Sequence, residues 1–490
     1  MHISKLESLQ RREFLRRTAA LGLAGTAGNL ALSLAGIGEA AAQSTSTDEY
    51  KALVCVFLYG GNDHDNTFVP YDTDSHNVYQ ALRDVGDTAS NIYVPQNKLT
   101  PLVPINNLAS GRQYAVQAAM GQMANLFNDD KKMGILLNVG PLLKPTTKDN
   151  YINAKLGDLP PKLFSHNDQF SLWQSGLLEG AEGATQGWGG RLGDLFLSSD
   201  TKSSHFTCIN AAGNAVFMSG KDVLPYQVTS KGAVTISSLK TSTGVYGIED
   251  CKTALGTLLN TSPSHWMEQE WARMMKSSID NQQTVTEAIT PTASNNYFRT
   301  SFGADNLSAQ LQIVARLIQA RTRLGVSKQV FFVSLGGFDH HDGLKNAHAG
   351  ADGTGGLLKM VNDAMNSFYK ATVQLNIQNQ VTTFTASDFG RTLSSNGDGS
   401  DHGWGSHHMV MGGAVDGGKF WGTAPDLSTV AKALDGPDTV GQGRLLPSTS
   451  VDEFATVLAR WMGVTDSSQL KSVLPNYEAF SGREPPKIFG

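Results

Sequence analysis

The feature that most constrains this chain is a repeated one: a short, continuous apolar run that stops abruptly at glycine and chelating residues. Ala52–Tyr59 (ALVCVFLY) ends in Gly60-Gly61-Asn62-Asp63-His64-Asp65. Val330–Leu335 (VFFVSL) ends in Gly336-Gly337-Phe338-Asp339-His340-His341-Asp342. Val381–Ala386 (VTTFTA) ends in Ser387-Asp388-Phe389-Gly390-Arg391-Thr392. Runs of this length, apolar throughout and partly β-branched, read as strands buried on both faces, which is the signature of a parallel sheet. Gly134–Val139 (GILLNV) belongs to the same class. Helical spacing precedes the later runs: Leu307, Leu311, Val314, Leu317 and Ile318 within Leu307–Leu324, and Leu357, Val361, Met365 and Phe368 within Leu357–Leu375. Tyr114–Phe127 shows the same spacing with Val116, Met120, Met123 and Phe127. Ser450 with Glu453 three places on is a capping box for a last helix. Helix and strand in alternation predict an α/β fold around a mostly parallel central sheet.

In such sheets ligands bind beyond the carboxyl ends of the strands. The three strand ends named above, with Asp401-His402-Gly403-Trp404-Gly405-Ser406-His407-His408 downstream, are therefore the candidate site. Five of the twelve histidines, His340, His341, His402, His407 and His408, lie in the later loops of this set. Carboxylate beside imidazole suits zinc, manganese or iron, while all-oxygen sites suit magnesium or calcium. A lone Asp after a strand also serves as a helix N-cap, and Asp388 admits that reading. Repetition at three strand ends favours chelation. The 51 glycines, about 10% against a typical ~7%, cluster beside these residues, where backbone turns sharply. A further motif, Ser165-His166-Asn167-Asp168-Gln169, follows a Pro-Pro turn. Ser165 at a helix start is a candidate nucleophile, or a plain N-cap. Arg391 and Arg191 are the fork-shaped donors suited to phosphate or sulfate.

Residues 1–42 read as an address and not as fold. Arg11-Arg12 opens the segment Arg-Arg-Glu-Phe-Leu-Arg-Arg, a mildly apolar stretch follows from Thr18 to Ile37, and Ala40-Ala41-Ala42 offers a cleavage site. The segment resembles a twin-arginine export signal. It predicts export of a folded protein by that machinery to the periplasm or the outside. Residues 43–490 are then a single domain. The Ser-, Thr-, Asn- and Gly-rich stretch at about 200–300 reads as an insertion on it. The whole chain carries a net charge of −5 with no basic block, which argues against nucleic acid as partner, and no later stretch has the ~20 apolar residues of a membrane span. Three cysteines exclude a disulfide scaffold. Cys55 reads as a buried hydrophobe, and pairing of Cys208 with Cys251 is left open.

The ordered series Gly-Gly-Asn-Asp, Ser-His-Asn-Asp-Gln, Gly187-Trp-Gly-Gly-Arg191, Gly-Gly-Phe-Asp-x-His, Ser-Asp-Phe-Gly-Arg-Thr, Asp-His-Gly-Trp-Gly and Arg444-Leu-Leu-Pro447 resembles the uncharacterised family called domain of unknown function 1501. That family is distantly similar to the alkaline phosphatase and sulfatase superfamily. The resemblance implies an alkaline-phosphatase-like three-layer sandwich with a metal site at the strand ends. It implies a divalent metal, zinc, manganese or calcium, held by Asp63, Asp339, His341, Asp388 and His402. Phe389 stands where the superfamily carries a metal-binding His. The implied activity is hydrolysis of an anionic phosphate or sulfate ester, with Ser165 attacking and Arg391 or Arg191 steadying charge. The rival expectation is a non-catalytic envelope binding or assembly protein on the same fold.

Overall fold

A computed structural model describes residues 49–490 except 87–90, 177–183, 198–203, 214, 234–252, 255, 259–265 and 291–297. The proposed export signal and Cys251 lie outside the described residues. Tyr50–Gly490 form one compact unit. Among the described residues no helix is long and apolar enough to cross a membrane.

In chain order the strands are β1 (Lys51–Leu58), β2 (Val69–Pro70), β3 (Leu99–Pro101), β4 (Tyr114–Gln117), β5 (Met133–Gly140), β6 (Cys208–Asn210), β7 (Tyr226–Thr229), β8 (Gly232–Ala233), β9 (Lys328–Leu335), β10 (Val381–Ser387), β11 (Ser406–Gly412), β12 (Phe420–Trp421) and β13 (Thr449–Ser450). Ten of them make one sheet in the order β12-β5-β11-β10-β1-β9-β6-β7-β8, with β13 also pairing β5. The pairings of β1 with β9 and β10, and of β6 with β7 and β9, are parallel, whereas β11 runs antiparallel to β10 and β5, and β8 antiparallel to β7. The sheet is mostly parallel, as its apolar runs predict. Part of the stretch expected as an insertion extends this sheet through β6, β7 and β8.

Alternation along β1 explains why helices cover both faces. Ala52, Val54, Val56 and Leu58 enter one apolar cluster, with residues of the helices Asn306–Gln319 and Gly356–Gln374. Leu53, Cys55 and Phe57 enter the other, with residues of the helices Trp188–Phe196, Val451–Met462 and Ser467–Val473. Ser450 caps Val451–Met462 in the expected box with Glu453. Cys55 and Cys208 are buried free thiols.

The segment Tyr114–Phe127 departs from expectation. Its first four residues are β4, which pairs β2 and β3 in a separate small sheet, and the helix begins only at Gly121. Pairing partners on both sides outweigh a helical spacing over so few residues.

The register of β1 sets up the site. Leu58 lies opposite Leu335 on one side and Ser387 on the other, so the loops after β1, β9 and β10 leave the sheet side by side. They press together closely: a Cβ on Gly60 would lie 2.4 Å from the Asp339 nitrogen, and Gly60 holds φ +113°, a conformation open to glycine.

Candidate metal centre at the strand ends

Asp339, just past β9, is half-exposed and faces three imidazoles. Its Oδ1 lies 3.2 Å from His341 Nε2 and 3.3 Å from His402 Nε2. Its Oδ2 lies 3.4 Å from His166 Nε2. His402 Nε2 is 3.0 Å from His166 Nε2 and 2.9 Å from His341 Nε2. One ligand atom each from His166, Asp339 and His402 falls within a mutual 4.8 Å.

The opposite ring nitrogens are all fixed. His402 Nδ1 lies 2.7 Å from the Phe164 carbonyl oxygen. His166 Nδ1 lies 2.6 Å from Asp388 Oδ2, and His341 Nδ1 lies 3.2 Å from Asp401 Oδ1. A carbonyl or carboxylate can only accept, so each Nδ1 carries the proton. In a neutral ring each Nε2 then presents a lone pair. The lone pairs of His166 and His402 and the Asp339 carboxylate converge on one point, with His341 against His402 and Asp339, an arrangement of acceptors that a cation could bridge. Metal bonds of ~2.0–2.2 Å put neighbouring ligand atoms roughly 3.0–3.5 Å apart. The observed contacts of 2.9–3.4 Å match that spacing.

The surroundings hold this arrangement. Phe389 lies beneath the rings of His166 and His402, at centroid distances of 4.7 and 4.8 Å. The backbone of Arg391 bridges that of His402, which brings the Asp401-His402 loop back over the end of β10. His341 and Asp339 side chains are 43% and 44% exposed, against 27% for His166, so one side of the cluster opens to solvent. The hydrogen bond that His166 donates to Asp388 raises the His166 pKa. Burial raises that of Asp388 against the pull of His166. Burial lowers that of His402, the Phe164 bond opposing.

Five expected roles require correction. Asp63 does not reach the cluster: both of its oxygens bind the buried Arg83, at 2.5 and 2.9 Å, and Arg83 also donates to the Thr392 and Leu393 carbonyls. Burial alone would raise the Asp63 pKa, but the Arg83 guanidinium outweighs it and holds the carboxyl below its usual range. Asp388 is a partner of His166 and not a member of the converging set. Its Oδ2 also accepts from Gly60 N at 3.2 Å, so it stands one bond behind the lone pairs.

Arg391 is wholly buried. It donates to Asp339 Oδ1 and the Gly60 carbonyl at 3.0 and 2.9 Å and to Ser400 through Nε and the other amino group, so it braces the Asp339 corner and cannot clamp an anion. Arg191 spends its guanidinium on the carbonyls of Val473, Ser175 and Gln186 beside another helix. Ser165 turns its hydroxyl to Asp168 Oδ2 at 2.8 Å, not toward the cluster.

His166 is the residue sequence reasoning passed over. It begins the helix His166–Ser175, and its motif drew attention only for the adjacent hydroxyl. The nearest sequence signal is that this His starts a helix directly after a tight turn, while Phe389 leaves an imidazole wanting at the end of β10.

Fold and site together define an α/β protein with a mostly parallel sheet and a histidine–aspartate cluster at its strand ends. Residues 50–474 match the profile described as protein of unknown function (DUF1501), and the chain belongs to that family. No curated protein matches it.

Proposed function

We propose that the protein is an exported, metal-dependent hydrolase of phosphate or sulfate esters on an alkaline-phosphatase-like layered sheet. The observation that carries the metal is the convergence of the His166 and His402 Nε2 lone pairs with the Asp339 carboxylate at ligand-to-ligand spacing, each ring anchored through Nδ1. His166, Asp339 and His402 would hold the ion, with His341 beside them. Two imidazoles with one carboxylate fit zinc or manganese and fit calcium poorly. When bound, such an ion supplies Lewis acidity and a water of lowered pKa.

The chain's own residues do the rest. Asp388, Asp401 and the Phe164 carbonyl fix ring orientation and tautomer, the usual work of groups behind a metal site. Arg391 holds Asp339 in place, and the exposed edge of Asp339 and His341 leaves room for an ester. Ser165 is withdrawn from attack by its bond to Asp168, so water is the nucleophile. The test is hydrolysis of an aryl phosphate and an aryl sulfate by protein reconstituted with zinc or manganese. Activity that His402→Ala abolishes supports the proposal. Inactivity of fully metal-loaded protein on both esters overturns it.

The second reading is a non-catalytic binding or assembly protein that keeps the metal for structure. Its support is specific: the expected nucleophile and both expected arginines are committed to other groups.

A further inference from the structure

A different arginine stands at the rim of the cluster. Arg444 is half-buried and sits after a tight turn, in which Gly441, Gln442 and Gly443 all have positive φ. The turn is pinned by Val440 N to the Arg444 carbonyl at 2.8 Å. Next along the chain, the Leu445 carbonyl accepts from Gly405 N at 3.0 Å, which ties the turn to the loop carrying His402. The guanidinium stacks on the Phe164 ring at 5.1 Å. Its Nε donates to the His402 carbonyl at 2.7 Å, and one amino group makes a long contact of 3.5 Å with the Gly441 carbonyl. It therefore touches the two residues joined by the His402–Phe164 bond.

Its charge is poorly answered. Burial lowers the Arg444 pKa, and the acid opposing that shift, Asp401, acts through charge with no hydrogen bond between them. Asp401 Oδ1 is already taken by His341 and by Asn396, at 3.2 and 2.8 Å. The contrast with Arg83 and Arg391, each bonded to a carboxylate, is plain. A planar cation stacked on an aromatic ring, with one edge held and its other donors unclaimed by any carboxylate, is a ready oxyanion site.

We infer that Arg444 is a specificity residue that recognises an oxyanion on the substrate, remote from the linkage hydrolysed at the metal. This rests on the proposed function for the word substrate, but the anion site itself does not. It assigns the substrate class as an ester bearing an additional carboxylate, phosphate or sulfate group. The anion sits beside the metal position, over Phe164, where Arg391 and Arg191 cannot reach it.

The test is direct binding of acetate, inorganic phosphate and sulfate to the full mature chain by calorimetry, at mildly alkaline pH, with and without metal. The inference expects at least one oxyanion to bind the metal-free protein. Arg444→Met should weaken that binding roughly ten- to a hundredfold, the worth of charge-assisted hydrogen bonds. Arg444→Lys should restore part of it, and the metal content of both variants should stay at the wild-type level. Which anion binds best identifies the group recognised. Binding that appears only with metal and survives Arg444→Met overturns the inference while leaving the metal centre intact. Loss of metal in both variants also overturns it, since Arg444 would then only support His402.

Discussion

Asp63 and Asp339 leave the ends of neighbouring strands, β1 and β9, yet they meet opposite partners. Asp63 is fully buried and receives a protein cation, Arg83, on both oxygens. Asp339 is half-exposed, shares Arg391 through one oxygen, and faces three imidazole lone pairs. The difference teaches where this fold satisfies its own charges and where it leaves acceptors facing one another at the surface. The interior pair is closed by a guanidinium that the chain supplies. The rim set is made of acceptors and stays open to solvent.

The largest expected effect tests the closed side. Arg83→Met leaves a buried carboxylate without its cation and strips donors from the Thr392 and Leu393 carbonyls. Unfolding by denaturant should show a loss of about 3–5 kcal/mol. A loss below about 1 kcal/mol would mean that Arg83 does not hold Asp63 as described.

On the open side, Asp388→Asn removes the charge behind His166 while keeping its size. Metal affinity, measured by competition with a chelator, should fall roughly 10- to 100-fold. Unchanged affinity would separate His166 from the ligand set.

A third buried carboxylate sharpens the contrast with the smallest effect. Asp452, in the first turn of the helix Val451–Met462, has an oxygen with no hydrogen-bond partner, and burial pushes its pKa up to about 7. A raised folded pKa means that its contribution to stability is complete at about pH 4 and below and is lost as pH rises through about 7. Asp452→Asn should abolish that decline, so that its stability gains on wild type as pH rises from about 4 to about 7. If wild type and variant show parallel stability profiles across that range, Asp452 is not a strained carboxyl.

These contrasts also mark what the sequence could tell. The parallel core was legible because β1, β9 and β10 are apolar on both faces, and continuous runs of that kind have few other uses. The strand ends were legible for the same reason, since topology carries their loops to one edge. What each loop residue does was less so. Asp63 stands at the expected strand end, but its partner lies twenty residues on at Arg83, and no local pattern announces that pairing. His166 meets Asp388 across 222 positions, a contact only the folded sheet creates. Arg391 and Arg191 looked available because a sequence names donors without naming the carbonyls that consume them. Tyr114–Phe127 misled through periodicity, because a short strand followed by a helix can imitate one longer helix.

Elemental analysis tests the open side most directly. The purified protein, loaded with zinc or manganese and freed of excess by dialysis, should retain one ion per chain. His166→Ala and His402→Ala should each lose it while remaining folded by circular dichroism. Wild-type protein that retains no ion, or a doubly substituted His166→Ala, His402→Ala variant that retains it at full occupancy, would contradict the metal centre.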